Sequence, residues 1–217
     1  MDNKNIYIIG AGTYGEAIFE LAILCGHKPV GFFDDDESKK GNIVMGVPVL
    51  GALNLNNFQV KYVNFAVAIG NNRIRVKKME QLLKYKAQIP TLIHPTANIS
   101  KFANVDPVGC YINANTYLWT KVLVHRFCII SPCVMVAHHT VLEEGAFISA
   151  GSNIGAGILI NNNSFIGIGS TLMTGIKFIG KNTIIGAGSV VIKDVVDNAV
   201  VVGNPARIIK YNDFSNE

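Results

Sequence analysis

The segment Ile130–Leu172 reads ISPCVMVAHHTVLEEGAFISAGSNIGAGILINNNSFIGIGSTL, with an aliphatic residue at every sixth position. The run starts earlier, at Ile112, and passes through Leu118, Val124, Ile130, Val136, Leu142, Ile148, Ile154, Ile160, Ile166 and Leu172 without a slip. After one extra residue it resumes at Ile179, Ile185 and Val191, and upstream Ile99 and Val105 keep the same spacing. Four positions after each aliphatic stands a small or medium residue, from Thr116 and Val122 to Thr183 and Ser189. A period of six is neither the 3.6 of an amphipathic helix nor the 2 of a half-buried strand. It predicts a solenoid whose coil is a triangle of three short strands joined by turns, a parallel β-helix of hexapeptide repeats. Each aliphatic points into the prism. Its partner four residues on is small because three sides converge on one axis.

Composition agrees with such a core. Of 217 residues, 49% are hydrophobic and only 16% are charged, against about 25% charged in an average soluble domain. Disordered chains need the reverse balance. No run reaches the ~18 apolar residues of a membrane-spanning helix, and the N-terminus enters a strand pattern with no signal-peptide layout. The net charge of +4 is mild and scattered, which argues against a nucleic-acid partner. Cys25, Cys110, Cys128 and Cys133 form no CxxC pair and read as reduced thiols of a cytoplasmic protein. No His/Cys/Asp cluster has metal-ligand spacing, and His138-His139 is not read as a zinc pair, since neighbours at a corner are expected to diverge.

The N-terminal third follows a different rule. Ile6–Ile9 is a short apolar strand running into Gly10-Ala11-Gly12-Thr13-Tyr14-Gly15, a G-x-G-x-x-G fingerprint. A helix is expected over Glu16–Cys25, with Ile18, Leu21 and Ala22 on one face. A strand follows over Pro29–Phe33, ending at Asp34-Asp35. Another covers Tyr62–Ile69, ending in Gly70-Asn71-Asn72. A helix over Arg73–Ala87 carries Met79, Leu82 and Leu83. This is a small parallel α/β sheet. The predicted domains are 1–92 and 93–217, with the linker near Pro90–Pro95.

The fingerprint has its proper context, after a strand and before a helix, with acids about 20 residues on. Its glycines let the backbone approach a phosphate at a helix N-terminus. Asp34-Asp35 and Gly70-Asn71-Asn72-Arg73 converge on the same carboxyl edge, where open α/β sheets bind ligands. A mononucleotide or nucleotide-sugar fits best. NAD is disfavoured, because fewer than 90 residues hold one nucleotide-binding half; a purely structural domain stays open.

Of the five histidines, His27 follows a helix-terminating Gly26, His94 precedes Pro95 at the linker, and His125 falls on a coil corner; all three read as structural or surface residues. His138 and His139 lie two and three positions after the inward Val136, at a corner. Eighteen residues on, Ala156 stacks over His138, then Thr174. A neutral imidazole beside a groove of small residues and backbone suits proton transfer near pH 7 and a long thiol cofactor arm; two surface histidines that simply fall on a corner are the alternative.

These residues resemble a known family. Ile9–Gly15, Phe33-Asp34-Asp35, Ala68-Ile69-Gly70-Asn71-Asn72 followed by Arg75, Ile93-His94-Pro95, Val136-Ala137-His138-His139 and Val202-Gly203-Asn204-Pro205-Ala206-Arg207 are similar to bacterial sugar acetyltransferases of the left-handed β-helix class. The likeness is to UDP-N-acetylbacillosamine-type N-acetyltransferases and sialic-acid O-acetyltransferases. It implies a homotrimer with active sites between subunits and acetyl-CoA as co-substrate, with no metal. It also implies a nucleotide-linked amino sugar (UDP, dTDP or GDP) held by Gly12, Thr13, Tyr14, Asp34, Asp35, Gly70, Asn71 and Asn72. His138 is the implied base, with His139 beside it. Phe147, Ala156, Ile168 and Ala187 are the implied acetyl-CoA contacts. Lys193, Arg207 and Lys210, near the end of the prism, are expected along its phosphates.

Three departures stand out. The family's acid after the base is His139 here, its histidine nine residues beyond is Phe147, and the histidine of its glycine loop is Tyr14. Glu143 or Glu144 is a possible substitute carboxylate. Without the acid an amine nucleophile is favoured, since it needs less activation than a hydroxyl. The expected activity is therefore N-acetylation of a nucleotide-linked 4-amino-4,6-dideoxy sugar for bacterial surface glycans. Sugar O-acetylation and non-catalytic nucleotide-sugar binding by a trimer are the alternatives.

Overall fold

The computed structural model describes residues 4–213. The chain divides into two compact units with the boundary between Pro95 and Thr96, three residues beyond the expected 92/93. None of the described helices is long and apolar enough to cross a membrane.

The N-terminal unit is built on a three-stranded parallel sheet. Asn5–Ile9 lies between Lys28–Phe33 and Asn64–Val67. The last strand is shorter than the 62–69 its pattern predicts: Tyr62 has φ 63°, which no extended strand accommodates. Helices Thr13–Leu24 and Asn72–Lys84 bury the expected stripes: Ile18, Leu21 and Ala22 in the first, Met79 and Leu82 in the second. Leu83 is only half-buried. The first helix ends in a Schellman motif. Gly26 at φ 80° donates to Ile23 O at 2.9 Å, and the His27 N–H reaches Ala22 O at 2.9 Å. The second stops short of the expected Ala87 because Lys86, at φ 61°, reverses the chain. Its N–H bonds Leu83 O, and that of Ala87 bonds Leu82 O.

The C-terminal unit is a triangular parallel β-helix of two-residue strands. One face stacks Asn98–Ile99, Tyr117–Leu118, Met135–Val136, Asn153–Ile154, Thr171–Leu172 and Val190–Val191. The second runs from Asn104–Val105 through Leu123–Val124, Val141–Leu142 and Leu159–Ile160 to Phe178–Ile179. The third carries Tyr111–Ile112, Ile129–Ile130, Phe147–Ile148, Phe165–Ile166 and Ile184–Ile185. Ala199–Gly203 extends that face in parallel, and Ala206–Tyr211 folds back antiparallel as a cap.

Every aliphatic of the unbroken run from Ile112 to Leu172 is buried, at 3% exposure or less. The partners four on are buried too, and the polar ones satisfy themselves. Thr140 Oγ1 donates to Gly155 O at 2.8 Å, Ser152 Oγ to Gly167 O at 3.0 Å, and Ser164 Oγ to Gly180 O at 2.7 Å. A hydroxyl inside the prism thus satisfies a corner carbonyl of the next coil, which removes its burial cost. The residue three after each aliphatic takes the left-handed conformation, from Asn115 and Lys121 through His139, Gly145, Gly151 and Gly157 to Gly188. That one backbone feature makes the corners from Asn115 to Gly188.

Candidate active site

The glycine fingerprint assigns a separate task to each glycine. Gly10, at φ 105°, makes the turn, and a Cβ there would stand 2.8 Å from Ala68 O. A Cβ on Gly15 would stand 2.0 Å from Gly10 O, so helix and strand pack closely only without one. Gly12 has nothing within 4 Å of its Cβ position and caps the helix with no side-chain bond. Space is therefore kept open over the first N–H groups of the helix at Thr13, the feature that suits a phosphate.

Asp34 braces this loop. Its Oδ2 accepts from Ala11 N–H at 2.8 Å and from Lys39 Nζ at 2.9 Å, while Oδ1 accepts from Asp36 N–H at 3.0 Å. Burial works to raise the Asp34 carboxyl, but the Lys39 ammonium and the two backbone donors together hold it below the usual carboxylate range. Asp35 beside it is exposed, so of the two acids it is the one presented to solvent.

At the third strand end, Gly70 and Asn71 are exposed. The Asn71 Oδ1 caps the second helix by accepting from Ile74 N–H at 3.1 Å. Asn72 is buried, its Oδ1 held by Arg75 Nη1 at 2.9 Å. The same Nη1 donates to Ile69 O at 3.2 Å, and Arg75 is fully buried. The Tyr14 hydroxyl also points inward; burial pushes the phenol well up, against the pull of the Arg75 charge. Tyr14, Asn72 and Arg75 thus shape the edge from beneath, while Gly12, Thr13, Asp35, Gly70 and Asn71 face outward. The sequence motif contains Arg75 without marking it as a site residue. Its signal was the three-residue step from Asn72, one helical turn.

On the β-helix, His138, His139, Ala156, Gly157, Thr174, Gly175, Ile176 and Lys177 line one groove of about 480 Å³. The eighteen-residue stacking of His138, Ala156 and Thr174 is as the repeat predicts. The corner is locked through the backbone: Gly157 N–H bonds His138 O at 3.0 Å, and His139 N–H bonds Thr120 O at 3.2 Å. Ala156 N–H donates to Thr174 Oγ1 at 3.2 Å.

The two imidazoles do not diverge. His138 Nδ1 and His139 Nδ1 are 3.0 Å apart, with the rings at 90°. Trp119 lies 6.1 Å from the His138 ring and 5.8 Å from that of Tyr117. The carboxylates suggested as substitutes are engaged elsewhere. Glu144 pairs with Arg126 Nε, and Glu143 Oε2 lies 4.0 Å from His125 Nε2.

Ile168 and Ala187 are exposed and sit on a different corner of this chain, after strands Phe165–Ile166 and Ile184–Ile185. Sharing the second position after an inward aliphatic does not bring them to His138, because that position recurs at all three corners of every coil. Phe147 lies on a face, 5.2 Å from the Phe165 ring. Lys193 and Arg207 line a groove near the C-terminal cap with Asp194; Lys210 lies on the cap strand.

A family model described as the PglD N-terminal domain matches residues 5–82. The acetyltransferase domain of PglB from Neisseria gonorrhoeae superposes with a TM-score of 0.88 at 31% identity, covering 95% of this chain and 100% of that one. PerB from Caulobacter crescentus, solved with CoA and GDP-perosamine, gives 0.84 at 28% identity over 95% and 97%. GDP-perosamine N-acetyltransferase of Escherichia coli O157:H7 is 28% identical over 97% of this chain and 99% of its own. With its α/β unit followed by a left-handed β-helix, the chain belongs to the hexapeptide sugar acetyltransferase family.

Proposed function

We propose that this protein transfers an acetyl group from acetyl-CoA to the amino group of a nucleotide-linked amino sugar of the 4-amino-4,6-dideoxy class, in bacterial surface glycan synthesis. The observation that carries this reading is the pairing on one chain of an open Gly12 loop with a corner histidine over a groove of small residues. Related proteins solved with CoA and GDP-perosamine, and one named a GDP-perosamine N-acetyltransferase, support it.

The roles follow from what each group touches. The N-terminal unit, about residues 1–92, takes the nucleotide-sugar on Gly12, Thr13, Asp35, Gly70 and Asn71, with Tyr14, Asp34 and Asn72 shaping the pocket. Residues 93–217 carry acyl transfer. His138 takes a proton from the amine as nitrogen attacks the thioester carbonyl. The C–N bond forms, a backbone N–H at the groove steadies the oxyanion, and the C–S bond then breaks. The sulfur leaves as thiol with the proton His138 had taken.

Ala156 stands at the His138 corner, whereas Ile168 and Ala187 stand at another. A single acetyl-CoA arm that touches both draws its contacts from two copies. That favours a homotrimer with its active sites between subunits, and Phe147 is proposed as a further acetyl-CoA contact. A cytoplasmic reaction is the reading that acetyl-CoA and a nucleotide-sugar as substrates support.

The test is free-thiol release from acetyl-CoA with UDP-, dTDP- and GDP-linked 4-amino-4,6-dideoxyhexoses. Turnover with at least one, falling about 100-fold or more in His138→Ala, is expected for loss of a general base. No turnover with any of them, or full activity in His138→Ala, refutes the reading. Turnover only with an acceptor that lacks an amine moves the assignment to O-acetylation.

A further inference from the structure

His139 occupies the left-handed corner position of its coil, at φ 60°. That conformation is unfavourable for most side chains and tolerated best by Gly, Asn and Asp. Other corners of this chain use glycine there, at 145, 151, 157 and 169. The consequence of placing a histidine at this corner is geometric. The left-handed backbone turns the His139 ring onto its neighbour, so that Nδ1 meets Nδ1 at 3.0 Å with the rings orthogonal. Backbone bonds to the coils on either side hold both residues: Thr120 O takes the His139 N–H, and Gly157 N–H takes the His138 carbonyl.

A hydrogen bond between two ring nitrogens holds one proton, so one ring donates and the other accepts. If His139 donates, His138 accepts at Nδ1, carries its hydrogen on Nε2, and has no lone pair for a substrate at that atom. If His138 donates from Nδ1, its Nε2 is bare and able to take a proton. His139 then accepts at Nδ1 and keeps its own hydrogen on Nε2. Among the described residues the groove lining supplies Lys177 as its charged group and no carboxylate. The indole of Trp119 lies 6.1 Å from the His138 ring.

We infer that His139 is a positioning residue which accepts the Nδ1–H of His138 and so fixes the tautomer in which His138 Nε2 is the base. A neutral imidazole here does the orienting work that an anionic acid does elsewhere. When His138 takes the substrate's proton, the resulting cation donates to an uncharged partner, and the proton passes on to the leaving thiolate. This inference rests on the acetyl-transfer reading above.

Three variants separate orientation from folding. His139→Gly removes the ring and suits the left-handed backbone. His139→Asn suits it as well and offers Oδ1 as an acceptor. His139→Asp offers an anionic one. With acetyl-CoA and the amino-sugar acceptor, His139→Gly is expected to lower kcat about tenfold or more, part of what a general base supplies, with the KM for acetyl-CoA within about twofold. His139→Asn should recover most of kcat. His139→Asp should recover it too and move the acidic limb of kcat/KM to higher pH, because an anion favours the protonated ring.

Nitrogen-detected NMR of the neutral wild-type protein reads the pair without turnover: His138 as the Nδ1–H tautomer, His139 as the Nε2–H tautomer. An Nε2–H tautomer at His138 overturns the inference. So does wild-type kcat in His139→Gly, even if His138→Ala is inactive; acetyl transfer then stands alone. If the NMR pattern is found but no acceptor is acetylated, the oriented pair stands and the transfer reading falls.

Discussion

Gly12→Ala and Gly15→Ala add the same methyl to one loop and are expected to have different effects. Gly15 lies within the helix Thr13–Leu24, where alanine is ordinarily better than glycine by about 1 kcal/mol. Here the methyl lands 2.0 Å from Gly10 O and 3.1 Å from Gly10 C. Gly10 has little room to retreat. Its N–H is tied to Phe33 O at 2.7 Å, and its own Cβ position already lies 2.8 Å from Ala68 O. Overpacking of this kind costs about 1–3 kcal/mol, and a backbone obstacle places it at the upper end. After the propensity gain, a net loss of about 2 kcal/mol remains, roughly a 30-fold change in the folded ratio.

Gly12, at φ −103° and ψ −175°, is in extended backbone open to any residue. Its methyl meets nothing, and the gain of about 0.4–1 kcal/mol through the unfolded chain is roughly offset by the poorer N-cap that alanine makes, so stability should stay close to wild type. The methyl does intrude on the space over the helix N-terminus. A rise of about tenfold in the KM for the nucleotide-sugar corresponds to about 1.4 kcal/mol of lost binding. Because the chain has two units, hydrogen exchange read on peptides spanning Asn5–Ile9 and Asn64–Val67 is the proper stability assay. Wild-type exchange in Gly15→Ala, or accelerated exchange in Gly12→Ala, refutes this division of labour.

Other expectations can be checked in the same preparations. Thr140→Val keeps the shape but removes a hydroxyl that donates to Gly155 O and accepts from Ile158 N–H; a loss of about 1–3 kcal/mol should appear as faster exchange in that coil. The Asp34 carboxyl is held below its usual range when folded. Its contribution is therefore complete above about pH 4, the unfolded value, and is lost as pH falls through the folded one. Asp34→Asn should cost about 1–2 kcal/mol at pH 7 and show a smaller acid-induced loss on titration. Reversing both Lys193 and Arg207, which share a groove, to glutamate should raise the KM for acetyl-CoA and leave that for the nucleotide-sugar unchanged; equal values would reject a phosphate role.

The architecture was legible in the chain because its periods are physical. A six-residue repeat with a small residue four places after each aliphatic closes a triangular coil, and Ile112 to Leu172 are buried in that phase. The strand, glycine loop and helix at residues 5–24 were legible for a similar reason: Gly10 and Gly15 stand where a Cβ meets a carbonyl. Element ends were less so. Lys86 and Tyr62 take positive φ without a glycine to announce it.

What the sequence alone determined is therefore the inward set, the coil length and the stacking of Ala156 and Thr174 over His138. Those depend only on spacing along one strand ladder. The tertiary structure decided the uses of side chains. For Asp34, Asn72 and Tyr14 the sequence points to a ligand; the structure adds that Asp34 ties the loop to Lys39 and that Asn72 and Tyr14 turn toward Arg75. Nor does a one-dimensional phase distinguish one corner from the next, which is why Ile168 and Ala187 lie apart from His138. The meeting of His138 with His139 depends on the sign of φ at residue 139. Spacing is blind to that sign, and the closed coil imposes it.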